Sequence, residues 1–337
     1  MAEATPQPVL GARGLTRHFR IGGLGGGTLH AVDDVDLDIA EREIVALVGE
    51  SGSGKSTLAR LLAKAYRPTR GEVFFRGRPL TSLRSRREIL NYRGAVPMVF
   101  QDPYSSLNPV HTIGYTLDRG LKLHRPELGR SARRAEAERV LEAVGLVPPG
   151  RTLVKHPYEM SGGQRQRVGF AQALSYLPLV ILADEPVSML DVSIRVGLLN
   201  LMARLREEEG LSLLYITHDI ASARYVADRL VVMYAGYVVE SGPTDEVRTN
   251  PAHPYTQLLL SAVPDPRAPV SVSAAEVAEP PKVVDPTPGC RFRFRCPLAA
   301  EVCSSITPPL EEVTSGHQAA CHRVELSLER HKDVFAR

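Results

Sequence analysis

Tryptophan is missing from this sequence, and aromatic residues make up only 6% of it. That argues against a surface built to stack nucleic-acid bases. No apolar run approaches the ~20 residues needed to span a bilayer. The opening residues MAEATPQPVL lack a basic start followed by an apolar stretch, so no secretory leader is expected. An excess of one charge is lacking too. The 41 Lys and Arg against 38 Asp and Glu leave +3, far from the basic excess of a dedicated nucleic-acid binder. Cysteine is absent from the first 289 residues, and all four thiols, Cys290, Cys296, Cys303 and Cys321, follow. The chain is expected to work in the cytosol and to reach a membrane only through partners. In that compartment clustered cysteines read as metal ligands or redox groups before they read as disulfides.

What is present is an alternation of buried-strand and helix signals. The chain has 337 residues, 43% of them hydrophobic, enough for one large domain or two modest ones. EIVALVGE (43–50), LVILADEP (179–186) and LSLLYITHD (211–219) are short apolar runs of the kind buried in parallel sheets. STLARLLAKAY and SIRVGLLNLMARLREEEG have helical spacing, the second stopped by Gly210. Strands alternating with helices predict a doubly wound α/β core. Residues 102–173 are mostly helical in pattern and read as an insertion between core strands. RLVVMYAGYVVESG predicts a hairpin turning near Gly236. The stretch GGLGGG at 22–27 is a flexible loop outside the strand–helix context of a dinucleotide fingerprint.

GESGSGKST (Gly49, Glu50, Ser51, Gly52, Ser53, Gly54, Lys55, Ser56, Thr57) sits between a strand and a helix. Glycines there let backbone N–H groups turn around phosphate oxygens at the positive end of the helix. Lys55 can reach the outer phosphates, and the Ser56 hydroxyl can ligate Mg²⁺. The same string is otherwise a Gly/Ser turn that binds nothing. Asp184, at the end of the later apolar strand, is placed to hold Mg²⁺. Glu185 is placed to orient or deprotonate an attacking water. In MSGGQRQR, Ser161 can cap a helix, while Gly162 and Gly163 let backbone amides approach an anion.

In this order, the P-loop, the MSGGQ signature and the Asp-Glu pair resemble an ABC-type ATPase: a P-loop parallel-sheet core, an antiparallel β subdomain and a helical insertion. Met160 stands where the family signature usually has Leu. The resemblance implies that Gln101, in VFQDPYSSLNP, senses metal and nucleotide, and that His218, in YITHD, contacts the γ-phosphate. Asp191, in SMLD, would cross a dimer interface, with Met189 in place of the commoner Ala. Phe19, in LTRHFR, would stack on adenine; it reads equally as a core residue. Two such units sandwich each ATP between the P-loop of one and Ser161, Gly162, Gly163 and Gln164 of the other. The second unit is the same chain or a paralogue.

FQDPYSSLNP, HPYEMSGGQRQRV and NPAHPYTQLLLSAVP together resemble the ATPases of oligopeptide and dipeptide importers, as does the tail GCRFRFRCPLAAEVC…GHQAACH. Relatives in that branch carry nickel or oligosaccharides as well. Implied partners are two transmembrane permease subunits and an extracytoplasmic substrate-binding protein, with the ATPase on the cytoplasmic membrane face and no nucleic acid. A soluble ABC ATPase acting on ribosomes or nucleic acid is the competing class. It usually carries two ATPase units or a long coiled coil, and neither is seen here.

The expected organisation is an ATPase domain over 1–262 with its helical subdomain at about 102–173, a Pro-rich linker over 263–287 and a cysteine-rich extension over 288–337. The spacing C-x₅-C-x₆-C-x₁₇-C lacks the close cysteine pairs that zinc sites favour. Four thiolates on irregular loops suit a [4Fe–4S] cluster, which the resembling importer tails bind; Zn²⁺ and free thiols remain the alternatives. Arg291, Arg293 and Arg295 are expected to offset a cluster's charge, and Phe292 and Phe294 to shield it. With few apolar residues, the extension is expected to form a small docking module behind its linker.

Overall fold

The computed structural model describes residues 8–22, 26–102, 107–262 and 283–335. The greater part of the 263–287 linker, the centre of GGLGGG and residues 103–106 of the Gln101 segment lie outside these. Twelve strands are described: β1 (Leu10–Arg20), β2 (Thr28–Ile39), β3 (Ile44–Val48), β4 (Arg70–Phe75), β5 (Arg78–Pro79), β6 (Met98–Val99), β7 (Val180–Asp184), β8 (Ser212–Thr217), β9 (Arg229–Tyr234), β10 (Tyr237–Pro243), β11 (Glu311–Thr314) and β12 (His317–Ala319). They form two sheets, β2-β1-β4-β5 and β11-β12-β10-β9-β3-β8-β7-β6.

The larger sheet is parallel from β9 through β3, β8 and β7 to β6. β3, β7 and β8 are buried at every residue, as uninterrupted apolar runs flanked by helices require. The predicted hairpin is β9–β10, paired antiparallel across Ala235 and Gly236. α1 (Lys55–Leu62) follows β3 and buries Leu58, Leu61 and Leu62. α2 (Arg86–Ala95) starts at a Ser85–Glu88 capping box.

The helical insertion lies between β6 and β7. It comprises α3 (Ile113–His124), α4 (Arg130–Ala143), α5 (Pro149–Leu153) and α6 (Gly162–Leu174). α7 (Val192–Glu209) ends on Gly210 in the left-handed region, where only glycine is unstrained. α8 (Ile220–Val226), α9 (Thr244–Thr249) and α10 (Pro254–Ser261) complete the body; α11 (Val302–Ser305) and α12 (Val324–Phe335) belong to the C-terminal extension.

The extension departs from expectation. It is not a separate module: β12 pairs antiparallel with β10, and β11 with β12, so the main sheet runs on into it. The end of the expected linker is fixed as well, because Val284 bridges Leu29 of β2 and His30 N donates to Val283 O at 2.9 Å. The physical reason is that the body supplies the apolar and hydrogen-bonding surface that the extension lacks. Phe292 is 2% exposed among Tyr234, Tyr255 and Val232. His317 and Gln257 tie the last elements down: His317 Nε2 meets Glu240 Oε1 at 2.7 Å, and Gln257 Nε2 donates to Ser327 O and Oγ.

Candidate active site

The loop between β3 and α1 closes on itself around Lys55. A Cβ at Gly49 would lie 2.2 Å from Met233 O; at Gly54, where φ is +104°, it would lie 2.2 Å from Ala31 O. Both positions therefore require glycine. Ser51 and Gly52 are exposed, Thr57 is half-buried and Ser53 is buried. Lys55 Nζ donates to Gly49 O at 2.7 Å and Glu50 O at 2.8 Å. Burial pushes its pKa down from 10.5 to about 8, against the opposing pull of Glu185, Asp184 and Glu50.

That value sets a pH dependence. Phosphates bind the charged ammonium, so without nucleotide the loop loses its binding form as pH rises through about 8. Binding above that pH requires proton uptake, and ATP affinity is expected to fall toward ~tenfold per pH unit between 8.5 and 10. Titration calorimetry in buffers of different ionisation enthalpy measures both the affinity and the proton. The same shift acts on stability with the opposite sign. The unfolded state binds the extra proton between about 8 and 10.5, so this residue's burial penalty is relieved over that window as pH rises.

Ser56 Oγ donates to Asp184 Oδ1 at 2.9 Å. Two neighbouring oxygens of a Mg²⁺ octahedron, each ~2.05 Å from the ion, are also about 2.9 Å apart, so the pair fits adjacent ligand positions. Burial raises the Asp184 pKa, with the Ser56 bond opposing; a cation there would relieve that cost. Glu185 follows at φ +46°, a left-handed conformation uncommon for a non-glycine residue. Its Oε2 gathers two groups that the sequence spaces far apart: Gln101 Nε2 at 3.3 Å and His218 Nδ1 at 3.2 Å. The four residues Ser56, Asp184, Glu185 and His218 stand at the C-terminal ends of parallel strands or the helix start that follows, where such sheets bind ligands.

The signature forms a reciprocal cap on α6. Ser161 Oγ accepts from Gln164 N at 3.3 Å, and Gln164 Oε1 accepts from Ser161 N at 3.1 Å. Gly163 packs so tightly on α7 that a Cβ would lie 2.4 Å from Ile194 Cγ2. Met160 is buried, so its replacement of the usual Leu keeps the apolar contact. Asp191 is the N-cap of α7 but makes no side-chain bond to the helix. Met189, Val192 and Val196 beside it are exposed. Phe19 is half-buried on β1, edge-on to Tyr66 at 5.7 Å, with the Arg17 guanidinium 4.5 Å from its ring centre.

Comparison with known proteins decides the family. Residues 32–188 match the ABC transporter model, and residues 239–303 match that of the oligopeptide/dipeptide transporter C-terminal region. A Brucella ovis protein named for peptide import and ATP binding is 42% identical over 95% of this chain and 99% of its own length. The chain belongs to the ABC transporter ATPases of the oligopeptide/dipeptide type. The oligopeptide transport ATP-binding protein AppF of Bacillus subtilis is 40% identical over 96% of this ABC ATPase and 99% of its own length. Among solved structures, the ADP- and Pi-bound dimer of the ATP-binding cassette MJ0796 superimposes with a TM-score of 0.62 at 30% identity, covering 70% of this chain and 98% of that one. This ABC ATPase is thus the ATP-hydrolysing subunit that energises an importer. Among its described residues no helix is long and apolar enough to cross a membrane.

The extension of this ABC ATPase reaches its nucleotide loop, which its sequence does not foretell. Arg295 makes a two-pronged ion pair with Glu50, NH1 to Oε2 at 2.8 Å and NH2 to Oε1 at 2.9 Å. Glu50 N donates to Tyr255 Oη at 2.9 Å. Arg291 bonds Asp33 at 2.5 Å and the carbonyl of Ala235. Arg293 alone turns back, to Cys290 O and Thr287. Two of the three arginines expected to offset a cluster's charge are thus committed to carboxylates. Phe294 is 80% exposed with the Arg293 guanidinium 4.3 Å from its ring centre, whereas Phe292 is buried in the core.

The four cysteines, free of disulfides, line one small cavity together with His253 and Phe292. Burial raises the thiol pKa of Cys290, Cys296 and Cys321, the last to about 11, so without a metal these thiols stay protonated and unreactive at neutral pH. Tyr255 and Glu240 are the residues that sequence reasoning missed. No spacing rule links a tyrosine to a backbone amide 205 positions away.

Proposed function

We propose that this ATPase drives uptake of oligopeptides or dipeptides from the cytoplasmic face of a membrane, coupled to two permease subunits fed by an extracytoplasmic binding protein. The names of its relatives and the matched C-terminal region support that cargo. Within the site, Lys55 and the amides of the Gly49–Gly54 loop take the phosphates, while Ser56 and Asp184 hold Mg²⁺. Glu185 activates water, with Gln101 and His218 holding its carboxylate until nucleotide arrives. The convergence of Gln101 and His218 on one Glu185 oxygen carries this assignment. Ser161, Gly162, Gly163 and Gln164 receive the ATP of a second, identical or paralogous subunit, and Asp191 with its exposed apolar neighbours faces that subunit. Phe19, beside Tyr66, stacks on the adenine.

The cysteine set supports a [4Fe–4S] cluster over zinc because its spacing, C-x₅-C-x₆-C-x₁₇-C, lacks the close pairs that zinc sites favour. Bound there, the cluster supplies a covalent staple for a segment poor in apolar residues. Protein purified without oxygen is expected to carry about four iron and four acid-labile sulfide per chain; stoichiometric zinc without sulfide would refute it.

The cargo is tested in cells lacking the chromosomal copy. Complementation with the wild-type chain should restore uptake of labelled di- and oligopeptides, and with Lys55→Ala should not. Restored uptake of an oligosaccharide or Ni²⁺ in place of peptide would reassign the cargo.

A further inference from the structure

The turn between Cys290 and Cys296 carries one tether to the nucleotide loop, one to the β9–β10 turn and Asp33 beside it, and one residue that makes neither. Arg295 grips the Glu50 carboxylate, with the pair only 17% and 11% exposed. Its guanidinium is further held by Tyr234, and the Glu50 hydrogen bonds push its pKa up. Arg291, four residues earlier, bonds the Ala235 carbonyl and Asp33. The next residue, Gly236, donates to Ser53 O at 3.0 Å, and Asp33 N donates to Gly236 O at 2.9 Å. Behind both tethers Phe292 packs against Tyr234 and Tyr255, ring centres 5.2 and 5.5 Å away. The Tyr255 hydroxyl accepts from the Glu50 amide.

Every polar group of Glu50 is thereby engaged: carboxylate by Arg295, N–H by Tyr255, carbonyl by Lys55. The carbonyl also accepts from Ser53 N at 3.2 Å, and two of the four partners, Tyr255 and Arg295, come from beyond residue 250. A bidentate guanidinium–carboxylate pair fixes orientation as well as distance. Glu50 is the first residue of the loop after Gly49, so its orientation sets the direction in which the following amides point.

We propose that Arg295 is a positioning residue for ATP: the extension, through the Arg295–Glu50 pair, holds the phosphate loop in its receptive shape. The proposal rests on the assignment of 49–57 as the ATP loop. It makes nucleotide affinity depend on a residue 245 positions from the loop residue it holds.

The test uses full-length protein and measures ATP binding by displacement of a fluorescent nucleotide, together with steady-state ATPase kinetics. Arg295→Gln is expected to weaken ATP binding and raise KM about five- to thirtyfold with kcat changed less than threefold. Glu50→Gln should match it, and the double variant should be no worse than either single, as two halves of one contact require. Arg295→Lys, keeping charge but not the fork, should fall between. Arg293→Gln, on the same turn but facing away, should stay within twofold of wild type. Arg295→Gln binding ATP within twofold of wild type, additive singles, or an equal loss in Arg293→Gln would each overturn the proposal. Should Arg295→Gln fail to fold, Arg295→Lys and Glu50→Gln decide the matter alone. Lys55→Ala separates the two readings: if it still binds ATP, the loop assignment fails; if it does not and Arg295→Gln is normal, only the strut fails.

Discussion

Glu185→Gln is expected to bind MgATP with near wild-type affinity and to hydrolyse it about 10²–10⁴-fold more slowly. The substitution keeps size and one acceptor oxygen but removes the base. Glu185 leaves its strand at φ +46°, a conformation held by Glu185 N donating to Ile216 O and by Ser188 bonding the Glu185 carbonyl. Both bonds engage the Glu185 backbone, so its side chain can change without moving the turn. Neither Lys55 nor Ser56 bonds the Glu185 carboxylate; their partners are the loop carbonyls and Asp184. Binding and hydrolysis should therefore separate. Single-turnover phosphate release measures the rate, and size-exclusion chromatography with ATP should find the variant accumulating as a dimer. Hydrolysis within threefold of wild type would remove Glu185 from the role of base.

The second large effect concerns stability. Glu240→Ala is expected to cost about 3–5 kcal/mol, read as a lower urea midpoint at unchanged slope. Glu240 is fully buried and accepts from Ala252 N at 2.7 Å, His253 N at 2.9 Å and His317 Nε2 at 2.7 Å. His317 is 1% exposed on its side. Truncation strands all three donors without water to replace the carboxylate. The damage should spread in two directions: His253 begins α10, which carries Tyr255, and His317 belongs to β12. Burial also drops the His253 pKa from 6.5 to about 3, so this ring stays neutral while its Nδ1 accepts from Tyr255 N. Loss of less than 1 kcal/mol would mean that the carboxylate's bonds are replaced elsewhere.

The phosphate loop, the Asp-Glu strand end and the signature are legible because each is a contiguous string whose local geometry is its function. Gly54 must be glycine whatever the rest of the chain does, and Ser161 caps the helix that its own sequence begins. Gln101 and His218 needed the family resemblance, since only the sheet brings them to Glu185. The tail was misread for a physical reason. RFRFR invites a two-residue period, which groups three arginines on one side and two phenylalanines on the other. The segment instead turns, so that Arg291, Phe292 and Arg295 face the body while Arg293 and Phe294 do not. The partner of Arg295 lies 245 residues away, beyond the reach of any periodicity.

β12 and β11 have one more consequence. Without them β10, with Val238 and Val239, would present an unsatisfied ladder of amides and carbonyls, a template for pairing with another chain. The extension covers that ladder with β12 and ends the sheet on β11, a strand of four residues, Glu311–Thr314, whose two glutamates are exposed. A short, acidic outermost strand discourages further addition. The C-terminal region thus also acts as a stop on the sheet, and a chain cut before it would be prone to self-association even with its nucleotide loop intact.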